Sequence, residues 1–133
     1  MIEFDDVKER LAMMREGLAE MCGYLDIANR RVILEELEEC TARPDFWNDA
    51  NAAKEVIGKT NAQRAFVKPF DELTRLIEDG EVMLELAEAE DEGEQRQQAL
   101  ADLEQTLDRA DVMMAKLRIL RTTSMAARVS TSP

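Results

Sequence analysis

The sequence predicts an all-α protein, and three observations carry that reading. Only 5 Gly and 3 Pro occur in 133 residues, beside 45% hydrophobic and 35% charged residues. That balance suits helical proteins rather than sandwiches or barrels. Apolar residues recur at steps of three and four, the spacing of one face of a helix. The breakers Gly23, Pro44 and Gly93 fall between those runs. The expected architecture is four helices forming two antiparallel hairpins, packed as an elongated bundle with a coiled-coil-like seam.

The first helix starts after Asp5 and Asp6, where negative charge suits the positive end of a helix dipole. Its stripe is Val7, Leu11, Met14, Leu18 and Met21, and Gly23 is the expected C-cap. Asp26 is placed to cap a second helix with the stripe Ile27, Leu34 and Leu37. A short connection favours an antiparallel pair. The second helix should end near Thr41, before Pro44, which lacks a backbone donor and restricts the residue ahead of it.

Between Pro44 and the next helix lies Asp45-Phe46-Trp47-Asn48-Asp49, with the only Trp of the chain. Asn48 and Asp49 both make good N-caps. Pro44, Phe46 and Trp47 are therefore read as structural, with the rings in a short ordered turn that plugs the end of the bundle. A third helix should run from about Ala50 to about Ala89 on the stripe Val56, Phe66, Phe70, Leu73, Ile77, Leu84 and Ala87. Pro69 should kink or split it, and Gly58 and Gly80 are weak points.

The acidic run from Glu88 to Glu94 contains Gly93 and is read as a turn. A fourth helix follows on Leu100, Leu103, Leu107, Ala110, Met114 and Leu117, the cleanest seam in the chain. It should return along the third helix as a hairpin. After Asp111 no acid remains, and Lys116, Arg118 and Arg121 suit the negative end of that helix. The domain is expected to cover residues 1–121. Residues 122–133, rich in Ser and Thr, are read as a disordered tail.

Composition also limits function. The formal net charge of -12 argues against gripping nucleic-acid phosphates, so neither DNA nor bare RNA is an expected ligand. No run of about 18 apolar residues could span a membrane, and the acidic start lacks a signal core, so the cytoplasm is expected. The chain has no His, the commonest general base, no Gly-rich phosphate loop and no Ser-centred elbow. No enzyme activity and no cofactor are expected. Glu35, Glu36, Glu38 and Glu39 lack the Glu-x-x-His pattern of di-iron bundles, so no metal is expected either. Cys22 and Cys40 are read as reduced, small hydrophobes. The pairs Met13-Met14 and Met113-Met114 are read as core filler, because one Met of each lies on a stripe. The acidic turn, with Glu90, Asp91 and Glu92 at its centre, is the candidate contact for a basic partner.

Three pieces, in order, resemble the N-terminal helical domain of the bacterial peptide chain release factor 2 family. They are Gly23-Tyr24-Leu25-Asp26; Leu34-Glu35-Glu36-Leu37-Glu38 leading into Pro44-Asp45-Phe46-Trp47-Asn48-Asp49; and Leu84-Glu85-Leu86-Ala87 with its acidic turn and following Leu-striped helix. The Pro-Asp-Phe-Trp-Asn run is the specific part. The resemblance implies a ribosome-docking domain for translation termination, near the stalk base of the large subunit, with a stalk-base ribosomal protein favoured over bare RNA. The Gly-Gly-Gln and Ser-Pro-Phe motifs that the family uses for hydrolysis and codon reading do not occur in these 133 residues, so no such role carries over to any residue. Pro69 and the route after Arg121 also depart from the family pattern. The alternative is an independent helical protein-interaction module.

Overall fold

The computed structural model describes the backbone of residues 1–130 and the side chains of residues 1–122. Four helices account for nearly all of it: α1 (Phe4–Tyr24), α2 (Ile27–Thr41), α3 (Ala50–Ala89) and α4 (Glu94–Ser130), with one 3-10 turn, Phe46–Asn48. The all-α bundle expected from the sequence is present. Among the described residues no helix is long and apolar enough to cross a membrane.

Helix α4 returns along α3 as the expected hairpin, with Thr106 reaching Met83 at 3.5 Å, but the first two helices do not form the other one. Ile2 bonds to Gln97, Arg10 to Asp108 and Asp111, and the Arg121 guanidinium lies 4.3 Å from the centre of the Tyr24 ring. Residue numbers rise together along both elements, so α1 and α4 are parallel. Arg15 pairs with Glu81 in α3, whereas Arg31 and Glu38 of α2 pair with Asp71 and Arg64 of the same helix. Numbers rise in one partner as they fall in the other. Both α1 and α2 therefore run antiparallel to α3, along successive stretches of it. The second helix continues onward from the first instead of folding back.

The joint explains why. Helix α1 does not stop at Gly23 but runs through it to Tyr24. The left-handed residue is Asp26, with φ 56°, a conformation that Asp tolerates better than most side chains. A single residue in that state redirects the chain without reversing it. Leu25 is buried there, its N–H donates to the Met21 carbonyl at 2.9 Å, and its own carbonyl accepts from Arg30 Nε at 2.7 Å. Asp26 does not cap α2 through its side chain.

Helix α3 starts where Asp49 accepts two N–H bonds at Oδ1, from Asn51 and Ala52, both at 3.1 Å. It continues past Pro69 as one helix, neither split nor ended there. Proline removes the bond to the carbonyl one turn back and its ring crowds that carbonyl, but Val67, Phe70 and Leu73 on either side of it are buried. That burial holds the segment helical. Gly80 is no weak point either. A Cβ there would come within 3.2 Å of Leu11 Cδ1 and 3.4 Å of Leu107 Cδ2, so the missing side chain lets α1, α3 and α4 meet.

The core lies between those three helices. Val7, Leu11, Met14, Leu18 and Met21 of α1, Phe70, Leu73, Ile77 and Ala87 of α3, and Leu100, Leu103, Leu107, Ala110, Met114 and Leu117 of α4 are all buried. At roughly 25 cal/mol per Å² of apolar surface, this seam dominates the stability of the domain. In α2 only Ile27 is buried, and Leu34 and Leu37 are half-exposed. Met14 and Met114 are core, as the stripes predict, while Met13 is exposed. The boundary expected at residue 121 is not marked by a helix end, because α4 is helical to Ser130. Adding residues to an existing helix avoids the cost of nucleation, and Met125, Ala126, Ala127 and Arg128 are favourable helix formers. The last three residues of the expected tail lie outside the described residues.

Candidate functional site

The acidic turn joins α3 to α4 at one end of the molecule. Ala89 ends α3, Glu90 is extended, and its N–H reaches the Ala87 carbonyl at 3.3 Å. Gly93, with φ 152°, takes a backbone conformation that side-chain-bearing residues rarely adopt, and its carbonyl accepts the Gln97 N–H at 3.1 Å. Glu90, Asp91 and Glu92 are all exposed, and no ion pair among the described residues engages them. Beside the turn is a cleft of about 510 Å³ lined by Ile2, Phe4, Glu92, Arg96 and Leu100. One wall is the N-terminal segment, held to α4 by the Gln97 amide. Sequence reasoning missed Gln97, since a lone Gln on a helix face carries no signal of its partner.

Pro44, Phe46 and Trp47 lie at the other end of α3, a helix whose 40 residues span roughly 60 Å at 1.5 Å each. The structure does not bring the two regions together. The expectation that Trp47 is a buried plug is overturned, because the residue is 68% exposed. Pro44 is exposed as well, and only Phe46 is half-buried. The two rings meet edge to face with centroids 4.8 Å apart. Phe46 takes the sheltered position, and the indole stands outside it.

The electrostatics are those of a solvated surface. Arg10 donates to Asp108 at 2.8 Å and to Asp111 at 2.6 Å. Partial burial works to lower its pKa, but those hydrogen bonds and charges outweigh it and raise the pKa above its ordinary value. Arg15 and Arg31 are likewise raised, chiefly by their bonds to Glu81 and Asp71. These cations persist at any pH where the fold exists, so they mark helix register and do not titrate. Exposed pairs of this kind contribute about 0–1 kcal/mol each. Among the described residues no group of three or more acidic or Cys side chains could hold a metal. In the cluster of α2 carboxylates, Glu38 instead accepts from Arg64 at 3.1 Å. Cys22 and Cys40 are both free and half-buried. No buried side-chain nitrogen or oxygen among the described residues lacks a partner.

No family model matches the chain. Among curated proteins, it is 35% identical over 106 residues to peptide chain release factor 2 of Staphylococcus haemolyticus, covering 80% of this chain and 28% of that protein. It is 36% identical over 117 residues to peptide chain release factor 2 of Acidithiobacillus ferrooxidans, covering 88% and 29%. The factor of Staphylococcus epidermidis is 33% identical over 89 residues, covering 67% and 24%. The chain thus spans under a third of the length of the curated relatives it matches. Fold and likeness together define a helical domain related to translation termination factors. The chain is a relative of bacterial peptide chain release factor 2, and its helical structure fits an N-terminal fragment of that protein.

Proposed function

We propose that this helical domain serves translation termination by docking on the ribosome and positioning the factor it belongs to. The observation that carries this reading is the likeness to release factor 2 over 80% and 88% of the chain in the Staphylococcus haemolyticus and Acidithiobacillus ferrooxidans proteins. The domain positions and does not catalyse: its 133 residues contain neither Gly-Gly-Gln nor Ser-Pro-Phe, and no His. Its place of action is the cytoplasm, with the ribosome. The same likeness weighs against an independent interaction module.

The contact is made through ribosomal protein at the stalk base. A surface of net charge -12 loses free energy against bare RNA, because carboxylates approaching phosphates release no counterions. The exposed turn of Glu90, Asp91 and Glu92 offers the carboxylates to a basic protein surface. A binding titration against ribosomes and against the isolated stalk-base protein tests this, with those three residues changed together to Ser. Loss of binding with unchanged helical content supports the turn as the contact. Equal binding excludes it, and no binding by the parent chain returns the independent module to first place. In a stop-codon-dependent release assay the purified chain should give only background, and release above it would overturn the positioning role.

A further inference from the structure

A Trp is highly buried in most folds, yet the only Trp of this chain is 68% exposed at the tip of the α2–α3 connection. The Phe46 and Trp47 rings are nearly perpendicular, at 82°, and most of the Trp47 surface remains open to solvent. The chain on either side of it is mostly acidic. Between residues 35 and 49 there are six carboxylates and one arginine. Glu38 is paired with Arg64 and Asp49 caps α3, but no ion pair among the described residues engages Glu35, Glu36, Glu39 or Asp45. Helix α2 also ends here with no basic residue in its last turn. Arg64 meets Glu38 in that turn, whereas Glu39 beside the negative end of the dipole has no ion-pair partner among the described residues, an arrangement that favours a further cation.

We infer that this end of the molecule docks an arginine-bearing basic segment of a separate protein, with a guanidinium stacked on the Trp47 indole. Charge complementarity selects the class of partner. The aromatic face selects Arg over Lys, because a planar, weakly hydrated guanidinium stacks where an ammonium does not. The carboxylates without ion-pair partners supply the counter-charge. This surface is about the length of α3 away from the acidic turn, so it stands or falls separately from that contact.

The single Trp makes the test direct. The purified 133-residue chain is titrated with a short Arg-Gly repeat peptide while Trp47 emission is followed, with a Lys-Gly repeat of equal length as comparison. Saturable quenching is expected from the Arg peptide, with affinity roughly threefold to tenfold above the Lys peptide. Calorimetry on Trp47→Ala should show binding of the Arg peptide weakened by a similar factor, with helical content unchanged by circular dichroism. Glu39→Gln combined with Asp45→Asn should weaken both peptides together. Absence of saturable quenching, equal affinity for the two peptides, or undiminished binding by Trp47→Ala would each overturn the proposal. So would a peptide-free, concentration-dependent change in Trp47 emission accompanied by a dimer in sedimentation, which would make a second copy the occupant.

Discussion

Gln97 and Ile2 hold one another in both directions: Gln97 Oε1 accepts the Ile2 N–H at 2.8 Å, and its Nε2 donates to the Ile2 carbonyl at 3.0 Å. A side-chain amide here does what a neighbouring strand would do, satisfying both backbone groups of one residue. The tie spans 95 residues of sequence and fixes the chain ahead of α1 against the first turns of α4. Replacing Gln97 by Ala should cost about 1–2 kcal/mol in a denaturant titration, the net worth of two partly buried hydrogen bonds. Limited proteolysis should then cut within the first residues faster than in the parent chain. Unchanged cutting would show that the tie does not restrain the N-terminal segment.

Trp47→Ala should change stability by less than about 1 kcal/mol, since surface substitutions outside special features rarely exceed that. A buried plug would have cost roughly 3–5 kcal/mol. Urea unfolding followed by circular dichroism distinguishes the two, and a loss in the larger range would show the ring packed in solution.

Leu107→Ala should cost about 2–5 kcal/mol, because Leu107 has no exposed surface and lies against the Gly80 crossing. Leu37→Ala, on the half-exposed face of α2, should cost well under half of that. Equal losses would mean that the core extends further along α2 than its burial indicates.

Pro69→Ala should stabilise the domain by about 1–3 kcal/mol. It restores the N–H that the carbonyl of Ala65 lacks, and the gain is offset in part by the greater freedom of the unfolded chain. The check is the midpoint of thermal unfolding, which should rise. A fall would show that the ring packs favourably enough to outweigh the missing bond.

Much of this was legible in the sequence, for reasons that can be named. The stripes of α1 and α4 are strict in their steps of three and four, and every residue assigned to them is buried. Asp49 was readable as a cap because an Asp before a helical run has few other uses. The direction of α2 was not readable. It depends on one residue, Asp26, taking a left-handed conformation, and its side chain does not announce that choice. Trp47 was misread because a large ring flanked by a helix stop and a helix start has two places to go. The sheltered one went to Phe46. The acidic turn was correctly placed as a turn, but its cleft depends on a partner 95 residues away in the chain.

The continuation of α1 into α2 makes α3 a splint laid across a break, and the two sides of that break are unequally anchored. On the α1 side the splint is wedged between two apolar seams. On the α2 side its described buried contacts shrink to Ala53, Thr60 and Val67, set against half-exposed Leu34 and Leu37. Free energy of opening follows burial, so the molecule has a stiff end and a breathing end. Amide exchange should slow progressively along α3 from Ala53 toward Ile77. The end that breathes is the end that carries Trp47, and a partner seated there would draw stability from its own binding energy, stiffening a region that the isolated fold leaves loose.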